Sequence, residues 1–212
     1  MLNKDVAKAK GFLLAPTKTF QESRAESLSD AFRYYVVLLI IFSVLYAIVS
    51  ASVGMAMFTD SLNQLTATGM LGTSLAELLE NFSGFIVALE IFFVYLFFLL
   101  MLIGVFLKGF ILHVFVLLFG GEKGLGQSIK TAMYALTPWL ILGWIPYISI
   151  IGGIWTVILF ILGIKEMQEV TLGKAVLVIL VPIVLIMILF IMGAVVIGAL
   201  MVGIMEMIPI VT

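Results

Sequence analysis

An all-α, polytopic integral membrane bundle is the architecture that this sequence predicts, and three observations point to it. Hydrophobic residues fill 64% of the 212 positions and charged residues only 11%, where a soluble domain carries about 25% charged residues. The apolar residues gather into runs long enough to cross a bilayer, joined by short polar connections. The lysines and arginines are spaced so that five transmembrane helices place all of them on one side. The same composition excludes other classes. A net charge of −1 gives no reason to expect nucleic-acid binding. Without cysteine there are no disulfides, thiolate metal sites or cysteine nucleophiles. With a single histidine and no ligand spacing, neither a metal nor a cofactor is expected.

Residues 1–33 are expected to form a cytoplasmic amphipathic segment ahead of a five-helix domain over 34–212. The apolar piece Gly11 to Ala15 is too short for a secretory signal, so the amino terminus is expected to remain on the mature protein. Leu2, Val6, Ala9 and Leu13 recur at near-helical spacing with Lys4, Lys8 and Lys10 among them. That is the pattern of a short basic helix lying on a membrane surface. Pro16 interrupts it. Ser27, with Asp30 three residues later, suits the cap of the first spanning helix.

The first span is read over 34–57, free of charge, with Ala47, Ser50, Ala51 and Gly54 supplying small residues for a close helix contact. Phe58 to Ser83 is polar and holds Asp60, Glu77 and Glu80 but no basic residue. The second run, 85–119, is interrupted only by Glu90, Lys108 and His113. It lacks a polar turn, so one long tilted helix is expected, with Gly104 and Gly109 as points where it could bend. The third span, 129–142, is short and ends near Pro138, Trp139 and Trp144; a tight turn from Gly143 to Pro146 leads into the fourth, 147–164. The fifth, 172–201, contains Pro182, where the missing backbone donor predicts a kink. Ala194 with Gly198, and Ala199 with Gly203, again place small residues four apart.

Charge tests the crossing number. Lys4, Lys8, Lys10, Lys18, Arg24 and Arg33 precede the first span; Lys108, Lys123 and Lys130 flank the second connection, and Lys165 and Lys174 the fourth. With five crossings all share one side, and Asp60, Glu77, Glu80 and Glu206 share the other. The positive-inside rule then predicts a cytoplasmic amino terminus and an external carboxyl terminus.

Residues that could carry chemistry are few. Gly121 to Ser128 follows the phosphate-loop spacing, but Gln127 stands where the lysine is needed and an apolar helix precedes it, not a strand. A helix end and a tight turn, with Gly120 or Gly121 in the left-handed conformation, account for it better. Glu90 is the one acid well inside an apolar run, and an intramembrane carboxylate is a functional candidate by default. Lys108 lies 18 residues on, about 27 Å along a helix axis, so the two cannot pair; a snorkelling lysine and an interfacial glutamate are the plain alternative. His113 suits a hydrogen bond to a neighbouring helix. Trp139, Trp144, Trp155 and Tyr147 suit interface anchoring or packing. Ser128 has no evident base partner in the sequence.

Several of these positions, taken in order, resemble the Yip family, membrane proteins named for interacting with Ypt/Rab GTPases. The resemblance rests on Pro16 to Phe20, on His113 followed by Phe119, Gly120, Gly121 and Gly124, then on Pro138, Pro146 and Trp155. It continues through Gly163 to Glu166 and Gly173 to Ala175. It implies a five-span bundle. The long cytosolic region and the Asp-Leu-Tyr-Gly-Pro motif of the eukaryotic members are missing, so Rab binding gains no support. A prokaryotic-type member in the cell membrane of a bacterium or archaeon is expected. The functional expectation is a non-enzymatic protein acting through membrane lipids, a second copy or other membrane proteins, in membrane organisation or a trafficking-like process. The rival is a small transporter or channel using the intramembrane carboxylate.

Overall fold

The computed structural model describes residues 2–207, with side chains from 3 to 203, so Leu2 and Glu206 of the patterns above lie outside the described side chains. Among the described residues every regular element is a helix: α1 Leu2–Leu14, α2 Pro16–Ser23, α3 Leu28–Ala67, α4 Thr73–Asn81, α5 Ser83–Leu118, α6 Leu125–Ala135, α7 Thr137–Leu142, α8 Ile148–Gln168 and α9 Leu172–Met207. Four of them, α3, α5, α8 and α9, are long and apolar enough to cross a bilayer.

The third expected span, 129–142, is instead two short helices in tandem, and α6 forms the interior of the bundle. Every residue from Ser128 to Leu136 is buried, between α3, α5 and α8. Gly109 of α5 makes this possible: a β-carbon there would lie 2.7 Å from the Ile129 Cα, so only glycine admits α6 so closely. The break between α6 and α7 follows from Pro138, whose ring nitrogen cannot donate to the Tyr134 carbonyl. The Thr137 hydroxyl donates to that carbonyl instead, at 2.6 Å, and the Tyr34 hydroxyl bonds Thr137 Oγ1 at 3.0 Å. The Trp139 amide is taken up by Thr156 Oγ1 of α8 at 3.2 Å.

The polar stretch from Phe58 is largely helical. α3 runs to Ala67, and within it Ser52, Ser61 and Thr66 satisfy their hydroxyls by donating to the carbonyl four residues earlier. At 40 residues it is about 60 Å long, twice a hydrocarbon core of about 30 Å. It therefore projects beyond a bilayer, together with the start of α5, and α4 joins them. α5 is one uninterrupted helix through Gly104 and Gly109, and α9 continues as helix through Pro182. Beyond Pro182 every described residue of α9 is exposed, and Gly193, Gly198 and Gly203 have nothing within 4 Å, so its small-residue pairs meet no other helix in the bundle.

The amino-terminal helices pack against the bundle, and not through the apolar face read from the sequence. Pro16 does separate them, and Ser27 does cap α3, accepting the Asp30 amide at 3.1 Å. But the face that α1 buries is Asp5, Ala9 and Phe12, and Val6 is 61% exposed. Phe12 and Phe20 are fully buried with ring centres 4.8 Å apart, and Phe12 in turn meets the Tyr34 and Tyr134 rings. An acid can face protein here because Arg33 holds Asp5 through both carboxylate oxygens, at 3.2 and 3.3 Å.

Candidate functional site

Two regions concentrate polar chemistry: the layer where α1 and α2 meet the bundle, and a cleft near the far end of α3 and α5.

In the first, the Glu26 carboxylate receives Lys8 and the Tyr134 hydroxyl. The Lys8 ammonium also lies 5.1 Å from the Tyr134 ring centre and 5.6 Å from that of Tyr34. Burial by itself would raise the Glu26 carboxyl, but the bonds from Lys8 and Tyr134 outweigh it and hold it below the ordinary 4.5. Lys130, only 5% exposed, reaches from α6 to the carbonyls of Arg24 and Glu26 at 2.7 and 2.9 Å. A cation thus caps the turn in which α2 ends. On α8, buried Glu166 receives Gln21 at 2.8 Å, Lys165 at 2.9 Å and Arg24 at 3.3 Å. Arg24 continues to Glu169 at 2.8 Å, and Glu169 in turn holds Lys123. The α5–α6 and α8–α9 connections and α2 are thereby tied together.

His113 belongs to the same side. Its Nδ1 lies 3.1 Å from Ser128 Oγ, which accepts from Gln168 Nε2 at 2.9 Å. The amide nitrogen can only donate, and the serine hydroxyl keeps a second lone pair and its own proton, so the His113 tautomer sets the direction of the bond to the imidazole. Gln168 also donates to the Gly124 carbonyl and accepts the Lys123 amide, so one side chain fixes the glycine turn. Ser128 therefore does have a histidine partner, across helices where spacing could not reveal it. It is 1% exposed and already occupied by Gln168, an arrangement that holds α5, α6 and α8 together. Gly120 takes the left-handed conformation at φ 81°. Gly121 instead packs against Val116 and Gln168, where a side chain would collide.

In the second region, Glu90 lines a cleft of about 370 Å³ with Phe42, Tyr46 and Ser50 of α3, Phe93 and Phe97 of α5, and Trp139 of α7. Its carboxylate lies against the α3 backbone: a β-carbon on Gly54 would be 3.5 Å from Glu90 Oε2. Lys108 lines a different cleft, about 490 Å³ and almost wholly apolar, between α5, α8 and α9 beside Pro182. The two clefts share no residue, and the interior beside α6 is filled by Tyr34, Tyr134, Met133 and Leu140, all at most 2% exposed. The structure therefore separates Glu90, Lys108 and His113 into three environments.

With this geometry in view, a family model decides the chain's kinship: the Yip1 domain matches residues 10–205. The chain belongs to the Yip1 domain family. No curated protein and no solved structure matches it significantly. In this Yip1 domain, most residues that carried the resemblance turn out to be packing and turn residues. Phe20 rests on Gly163; Gly120 and Gly121 make the α5–α6 turn; Pro138 divides α6 from α7. Trp155 packs against the main core, and Pro146 precedes Tyr147, which starts α8 from a positive φ of 65°. Glu166 is the ion-pair centre described above. Sequence reasoning passed over Arg24, Glu26, Lys130, Tyr134 and Gln168. The available signal was a set of charges beside apolar runs on one predicted side, which was read for topology alone.

Proposed function

We propose that this Yip1 domain is a non-enzymatic membrane protein that acts through contacts with lipids or with other membrane proteins, in membrane organisation. The observation that carries this reading is the filled interior around α6 set inside an exterior of exposed apolar helix faces. Such a body offers apolar surfaces and clefts between its helices.

The reading includes five crossings with the amino terminus cytoplasmic, in the cell membrane of a prokaryote. Three features support it. Arg24, at the end of α2, bonds Glu169 of the α8–α9 connection, and Glu169 holds Lys123 of the α5–α6 connection. α6 and α7 lead away from that layer, and α8, with 21 residues, returns to it at Glu166. Basic residues gather in the layer, where several acids pair with them, while the distant stretch from Phe58 to Ser83 carries Asp60, Glu77 and Glu80 and no lysine or arginine. The domain division at residue 33 is proposed in modified form, with α1 and α2 as a cap on the bundle.

Crosslinking in native membranes, followed by mass analysis, tests the reading. A reproducible second copy, protein partner or tightly held lipid is expected. A monomer with no retained partner or lipid would contradict it. A second reading, transport through the Glu90 cleft, draws on the placement of that carboxylate, and flux in liposomes with the Glu90→Gln variant distinguishes it.

A further inference from the structure

We infer that the cleft at Glu90 holds the ammonium headgroup of a zwitterionic phospholipid, taken from the leaflet remote from α1 and α2. This rests on the lipid-contact reading above and names the lipid class.

The cleft has a polar end and an apolar end. Phe42, Tyr46 and Ser50 follow one another up α3 at four-residue intervals, about 12 Å of rise. The antiparallel α5 contributes Glu90, Phe93 and Phe97 in the opposite order. Ser50 and Glu90 therefore share the end away from α1 and α2, and Phe42 and Phe97 share the other, with Trp139 alongside. That is the polarity of an amphiphile whose headgroup faces the remote surface.

Depth agrees. Lys108 lies about 27 Å from Glu90 along α5, close to the ~30 Å thickness of a hydrocarbon core. With the Lys108 ammonium drawn to the near interface, Glu90 falls at the remote one, where headgroups lie.

Charge selects the headgroup. Among the described residues the Glu90 carboxylate has no hydrogen-bond or ion-pair partner; its oxygens face Gly54 and the cleft. Aromatic rings line the cleft that it faces, and ring faces attract alkylammonium groups. An anionic head without a cation is repelled by the same carboxylate. The cleft also adjoins, through Val94, an apolar groove along Ile40, Val44, Ala47 and Ile91, which gives the acyl chains a continuous path.

Trp139 reports on the cleft. In full-length protein with Trp144→Phe and Trp155→Phe, reconstituted in phosphatidylglycerol nanodiscs, brominated phosphatidylethanolamine should quench Trp139 at about fivefold lower mole fraction than brominated phosphatidylglycerol. Glu90→Gln should remove that preference and Glu90→Asp should keep most of it. The comparison of the two lipids on the Glu90 protein stands by itself should the glutamine variant fail to fold. Equal quenching by both lipids, or a preference unchanged in Glu90→Gln, overturns the headgroup assignment and leaves lipid contact intact. Quenching by neither removes both readings. Carbodiimide coupling of Glu90 to a lysine of another protein in native membranes would assign the cleft to a protein and overturn the inference.

Discussion

The Phe20 ring rests on Gly163: a β-carbon at 163 would lie 2.8 Å from the ring's Cζ and equally close to Thr131 Cγ2. The cap formed by α1 and α2 is thus seated on α8 and α6 through a contact that tolerates no side chain. Gly163→Ala must displace Phe20 or Thr131, and overpacking of this kind costs about 1–3 kcal/mol. Thermal unfolding in detergent should show a lowered midpoint, with partial recovery on adding Phe20→Leu. Gly173→Ala, with nothing within 4 Å, should leave the midpoint unchanged.

Acid should release the same cap. Burial acts to raise the Glu26 and Glu166 carboxyls, but it is outweighed, by Lys8 and Tyr134 at Glu26 and by Lys165 and Gln21 at Glu166. Both therefore lie below the ordinary 4.5 in the folded protein. A depressed folded value means that the stabilisation is complete above the unfolded value and is lost as pH falls through the folded one. The unfolding midpoint should hold from pH 7 to about pH 5 and decline below about 4.5. The double variant Glu26→Gln, Glu166→Gln should start lower and respond less to acid over that window.

Topology can be mapped without background, since the chain contains no cysteine. Lys10→Cys and Lys174→Cys should react with a membrane-impermeant maleimide only after the cells are opened. Glu77→Cys, exposed on α4, should react in intact cells. Labelling of Glu77→Cys and Lys174→Cys from the same side would contradict the five-crossing arrangement.

The long helices were legible because residues in contact with lipid must be apolar almost without interruption, and α3, α5, α8 and α9 announce themselves by that alone. α6 was legible only as part of a third span, 129–142, and its place in the interior was not, because its polar side chains are solvated by protein: Lys130 and Tyr134 reach the turn between α2 and α3, and Thr131 bonds the Gln127 carbonyl of its own helix. The buried face of α1 was misjudged for a related reason. Asp5 looks like a solvent residue until Arg33, 28 positions later, neutralises it. Glu90 stood out as an unusual acid, but the rings that make its cleft come from three helices that only the packing brings together. The bond between His113 and Ser128 likewise joins residues that only the packing of α5 on α6 brings together.

The central claim is that this Yip1 domain works by contact and does not conduct. Flux of H⁺, Na⁺, K⁺ and Cl⁻ across proteoliposomes containing the full chain measures it directly. The account predicts no flux above that of protein-free liposomes, and no change with Glu90→Gln. A flux that the full chain supports and Glu90→Gln abolishes would contradict it.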